Sequence, residues 1–170
     1  MQRDPEWGFM RMGYAEVFDI FFAFGLFKLA SDAKFFPVSL SEIINRLTSE
    51  EARHICFFSN WAIYSGANAN WFSRPWFQLR RASAVARQAL GRARTAFQIA
   101  TGSDVEKADD FVIQAHAQLC GDDLSLRKFL EICLAENDRR MAEFDPLLPR
   151  PTLLPSITKL ILRMISVSQG

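Results

Sequence analysis

The sequence predicts an all-α protein: four long helices packed as a bundle, followed by a short helix near the C-terminus. Three observations carry this. The long apolar stretches repeat at three- and four-residue spacing and lack the alternating Val, Ile and Thr runs of strands. Gly and Pro fall mainly between those stretches, where turns belong. A short polar cluster, Ser39-Leu40-Ser41-Glu42, has the spacing of a helix-starting capping box. At 170 residues the chain is read as a single domain, 1–170, long enough to bury a real core.

The first helix is expected from about Phe9 to Ala30, with Met12, Glu16, Ile20, Ala23 and Phe27 as its inner stripe. Pro37 disfavours helix at the residue before it and ends this segment. The second helix starts at the Ser39 box and runs to about Gly66, its stripe read as Ile44, Leu47, Glu51, Ile55, Phe58 and Ala62. A connection of small, polar and aromatic residues leads to a third helix from about Trp76 to Ala100, with Leu79, Val85 or Ala86, Leu90 and Phe97 inward. A broken piece from Val105 to Leu119 carries His116. The fourth long helix spans about Leu124 to Phe144, a Pro-rich connector covers 146–155, and an amphipathic helix covers 156–167.

Composition excludes several classes. A net charge of +1 gives no global field for nucleic acid. Charge is unevenly placed, however: no Asp or Glu lies between Ala52 and Ser103, where seven arginines from Arg53 to Arg94 lie, and from Asp104 to Asp145 the balance turns acidic. That split points to one helix pairing with another. The arginines are not interleaved with aromatics in a recognised binding motif, so no nucleic-acid partner is expected. Cys56, Cys120 and Cys133 are far apart, odd in number and set among apolar residues, which fits reduced thiols of a cytoplasmic protein. The Phe-rich run Val17–Ala30 is interrupted by Asp19 and Lys28 and falls short of the roughly 20 apolar residues a membrane span needs. It reads as a core helix.

Chemistry concentrates at Glu51 and His54. Three residues apart on a helix, they share one side, and the stripe reading places them on the core face. An unpaired buried carboxylate is costly, so a metal ion or an internal ion pair should meet them there. Both answers stay open on the residues alone. Glu16 on the first helix and Glu136 on the fourth are further inward carboxylates by the same reading. In carboxylate-bridged di-metal bundles, inward Glu residues and Glu-x-x-His pairs on facing helices surround two ions.

Glu50-Glu51-Ala52-Arg53-His54 resembles the (D/E)-E-x-R-H segment on the second helix of ferritin-like di-iron proteins. Glu16 lies upstream at about the distance of their first-helix Glu. The text from Cys133 to Pro151, including Glu136-Asn137-Asp138-Arg139-Arg140, is similar to bacterial ferritin-like-domain proteins of uncharacterised role. The resemblance spans about Glu16 to Pro155. It implies a ferritin-like four-helix bundle with Glu16, Glu51, His54 and Glu136 as metal ligands and iron, or manganese, as cofactor. Two departures stand against a complete site. The third helix has no Asp or Glu, and Arg139 occupies the place of the second His.

Two functions follow as expectations. One is a metal-binding protein, as a di-iron or mono-metal oxidoreductase acting on dioxygen or a small hydrophobic substrate. The other is a non-catalytic bundle with a degenerate site that acts by association, as a homodimer or with a partner, through the apolar stripe of Ser156 to Val167.

Overall fold

The computed structural model describes residues 4–100 and 125–168. Among them every regular element is an α-helix: α1 (Pro5–Asp32), α2 (Val38–Asn68), α3 (Ser73–Ala100), α4 (Leu126–Met141) and α5 (Leu153–Ser168). The expected piece Val105–Leu119, with His116, lies outside the described residues, as does Cys120. None of the described helices is long and apolar enough to cross a membrane.

Helix starts follow cap chemistry more closely than the apolar pattern. α1 begins four residues before Phe9, because Asp4 accepts a hydrogen bond from the Trp7 N–H at 3.2 Å and Pro5 takes the first helical position. α2 does not use the Ser39–Glu42 box. Pro37 stands at the cap, no side chain caps the helix, and the N–H groups of Leu40 and Ser41 both donate to the Pro37 carbonyl at 3.0 Å. Ser39 is thereby already inside the first turn. α4 starts from Ser125, whose hydroxyl accepts from the Lys128 N–H. α5 starts three residues before Ser156 and takes Pro155 into its first turn, where a missing N–H costs nothing.

The end of α1 is also explicit. Lys34 adopts a φ of 52°, the Lys34 N–H donates to Ser31 at 3.0 Å, and the Phe35 N–H reaches back to Ala30 at 2.9 Å. These two bonds define a Schellman stop, which reverses the chain into α2 without a glycine.

α1 is the central element and touches each of the other four described helices. Its buried side chains, among them Met10, Tyr14, Phe18, Phe21, Phe24 and Leu26, wrap most of its circumference. A helix that is apolar nearly all round belongs inside. The expected inner stripe is corrected here: Met12 is 55% exposed, and Glu16, Ile20, Ala23 and Phe27 are only half-buried, so that line is not the one α1 turns inward. The reason is the density of phenylalanine, which makes several lines of α1 apolar and leaves periodicity unable to choose among them.

Close approach fixes two of the contacts to α1. A Cβ at Gly13 would collide with the Phe58 ring of α2, and one at Gly25 with the Cys133 sulfur of α4. Both sites need hydrogen in place of a side chain. Cys56 and Cys133 are buried, and burial pushes the Cys56 thiol up, away from the reactive thiolate.

α3 docks on α1 through charge. Arg80 meets Asp4 at 2.5 Å, and Arg92 pairs with Asp19 while donating to the Ala15 carbonyl at 3.3 Å. These two arginines find their acids in α1 and its cap, outside the acidic stretch from Asp104 to Asp145 that the charge split pointed to. The predicted inner line of α3 is corrected as well: Leu79 and Leu90 are exposed, and Phe77 and Ala84 face inward.

Candidate functional site

Of the expected ligands, Glu136 alone is fully buried. It is 5% exposed, one turn before the end of α4, where that helix crosses α1 and the N-terminal half of α2. Both carboxylate oxygens are taken by arginines of its own helix. Arg139 binds in fork fashion, Nε to Oε2 at 2.9 Å and Nη2 to Oε1 at 2.6 Å. Arg140 donates from Nε to Oε1 at 3.0 Å. Burial raises the Glu136 carboxyl, but the hydrogen bonds and charge of Arg139, with Arg140 behind it, outweigh that and hold it below the usual carboxylate range.

Arg140 is the pivot of the cluster. It is buried, its guanidinium lies 5.2 Å from the centre of the Phe24 ring, and its remaining nitrogens cross to α2. Nη2 donates to Asn45 Oδ1 at 3.0 Å and Nη1 to Ser49 Oγ at 3.2 Å. One charge therefore joins three helices: α4 supplies it, α1 shields it and α2 receives it. Sequence reasoning placed Arg139 beside Glu136 but missed Arg140, Asn45 and Ser49. The readable signals were Glu136 to Arg140 at i,i+4, and Asn45 and Ser49 at the same spacing on the facing helix.

Glu51 and His54 keep their partnership and lose their burial. Glu51 Oε2 lies 3.2 Å from His54 Nδ1, as an i,i+3 pair should. The imidazole is 61% exposed, however, and the pair stands on the outer side of α2. The expected stripe was right for Ile55, Phe58 and Ala62 and wrong for Leu47 and Glu51. Thr48 and Ala52 take the inward positions instead, rotated to the side that can approach α1 closely. Arg53 serves the neighbouring Glu50 at 2.9 Å rather than Glu51. Glu16 sits half-buried on α1.

Among the described residues, no group of three or more His, Cys, Asp or Glu side chains is placed to hold a metal ion. Glu136 has no oxygen free of a guanidinium, and Glu51 with His54 offers two donors on an open face. This donor set does not fit a two-iron or two-manganese centre. Beside Glu136 lies a cleft of about 360 Å³ between the end of α1, the start of α2 and α4. Its walls carry Lys28, Arg139 and Arg140 against Asp32, Glu42 and Glu136, so the charges balance and select neither cation nor anion.

No family model matches the chain, and neither the curated proteins nor the solved structures include a match to it.

Proposed function

We propose that this protein is a non-catalytic helical bundle that acts by association. The observation that carries the reading is how its polar and apolar groups are used. Both oxygens of the buried Glu136 carboxylate accept from Arg139 and Arg140, which commits it to an internal ion-pair cluster rather than to a metal. Meanwhile a long apolar line on α2, including Leu47 and Phe57, remains exposed. The bundle spends its internal carboxylate on structure and its spare apolar surface on a partner.

The stripe expected to make that association, Ser156 to Val167, is engaged in part within the chain. Leu154 and Thr158 are buried where α5 packs on α4 and α1, and the outward side carries Lys159, Leu160, Arg163 and Met164. Association through α2 is the better-supported form.

Elemental analysis of protein produced in iron- and manganese-supplemented medium tests the non-catalytic reading. Metal well below one equivalent, with melting unchanged by a chelator, is the expected result. The second reading, a metal-binding protein using iron or manganese, draws on the 3.2 Å Glu51–His54 contact. Near-stoichiometric metal that disappears in Glu51→Ala would establish it and remove the first.

A further inference from the structure

The outer face of α2 is built as a seam. From Leu40 to Tyr64 one line of positions, 40, 43, 47, 50, 54, 57, 61 and 64, is spaced alternately three and four residues apart and is exposed throughout except at the half-buried Trp61. This is the heptad spacing by which two helices pack side by side, and here it runs over about 36 Å of helix at about 1.5 Å per residue. Leu47 and Phe57 are 58% and 65% exposed, and Ile43 and Tyr64 are similarly open. Trp61 is half-buried, its inner edge against Phe9 and Phe58. The face that packs on α1 is a different one, carrying Ala52, Ile55 and Ala62. Phe9 of α1 meets the seam at Trp61, and its other apolar positions are exposed.

We infer that this seam is closed by α2 of a second copy, lying antiparallel about a two-fold axis through Ala52. Any three-four stripe is symmetric in position. What is particular here is the chemistry at symmetric positions. Leu40 and Tyr64 are equidistant from Ala52, as are Ile43 and Trp61, and Leu47 and Phe57. Each pair combines an aliphatic side chain with an aromatic one, so the two-fold makes six mixed layers of matched bulk. The innermost pair is Glu50 and His54, an acid and a base. Antiparallel pairing sets Glu50 of each copy against His54 of the other, twice. Parallel pairing in register would set Glu50 against Glu50, which opposes two carboxylates in the centre of the seam. Charge therefore selects the antiparallel arrangement, and the isologous contact closes at two subunits.

This inference rests on the association reading and names its partner and its face. The Glu51–His54 and Glu50–Arg53 contacts within one helix survive the pairing as its polar rim.

The test is sedimentation of the full chain over a concentration series, with charge variants at the two central positions. The unsubstituted protein is expected to sediment as a dimer. Glu50→Lys sets cation against imidazole, and His54→Glu sets acid against acid. Each single change should weaken the dimer by at least roughly 30-fold. The double exchange Glu50→Lys with His54→Glu restores opposite charges only in the antiparallel pairing, and should recover the dimer. Leu47→Glu should abolish it, while helicity by circular dichroism stays unchanged because the position is exposed.

A monomeric unsubstituted chain overturns the inference, including the case in which residues 101–124 of the same chain cover the seam. A dimer indifferent to Leu47→Glu, or a double exchange no better than its parents, overturns it too. Stoichiometric metal in a dimeric protein would remove the non-catalytic reading and leave the seam standing. A metal-free monomer would do the reverse.

Discussion

At Glu136 one carboxylate holds two guanidinium groups, and the two are not equivalent. Arg139 is half-exposed, so its fork to Glu136 is screened and contributes at most about 1 kcal/mol. Arg140 is buried with Glu136, and its loss removes the bonds to Asn45 and Ser49 and the packing on Phe24 and leaves the buried Glu136 only the half-exposed Arg139. Arg140→Ala should therefore cost about 3–5 kcal/mol in chemical denaturation, and Arg139→Ala less than about 1. The contrast between neighbours in one helix is the informative measurement. Equal losses would mean that Asn45 and Ser49 do not hold Arg140 as described.

The same cluster sets an acid limit. The folded-state pKa of Glu136 is lowered from the ordinary value of 4.5, so the unfolded chain takes up its proton first as pH falls. The contribution of Glu136 is thus complete above the unfolded pKa and is lost as pH drops through the lower, folded one. Glu136→Gln should be less stable than the parent at neutral pH. Denaturation curves measured over descending pH should show that gap closing below about pH 4.5, the model carboxyl value. A gap that is constant with pH would show that Glu136 is not ionised in the native protein.

Elements are joined in two ways, by close apolar contact and by charge, and this division predicts where the molecule opens. α2 and α4 meet α1 at Gly13 and Gly25, with ring and sulfur against backbone. α3 meets it with a thinner apolar line and the two ion pairs Arg80–Asp4 and Arg92–Asp19. Arg92 also lays its guanidinium 5.1 Å from the centre of the Phe18 ring, so its loss removes packing as well as charge. Arg92→Ala should cost about 1–2 kcal/mol. Hydrogen exchange should speed along α3 before α1, and more so at high salt, where partly exposed pairs are screened. Uniform acceleration over all helices would contradict a separately held α3.

For the whole molecule, a central α1 surrounded by the other described helices puts phenylalanine on most sides of one helix. It leaves α2 with two distinct faces: one closes on α1, and the other looks outward with a seam of its own. Elemental analysis bears on Glu136 in the interior and on the Glu51–His54 pair outside. Sedimentation bears on the outward seam.

The sequence by itself determined the helical class, the approximate extent of the long helices, and the i,i+3 partnership of Glu51 and His54. These are local properties, set by spacing along one chain, breakers and cap chemistry, and they need no neighbour. It also identified the arginine-rich helix as a partner of another helix, because an acid-free run of cations must find its anions elsewhere. Only the tertiary structure decided which side of each helix is inside. α1 offers apolar lines all round, and α2 offers apolar residues on two faces, so periodicity has no single answer in either. Close approach at Gly13 and Gly25 broke that tie. It turned Thr48 and Ala52 inward, moved Glu51 and His54 to the surface, and left Arg140 as the buried cation to which Glu136 is committed. A stripe of hydrophobic residues says that a face will be covered; which helix covers it depends on shapes that meet only in three dimensions.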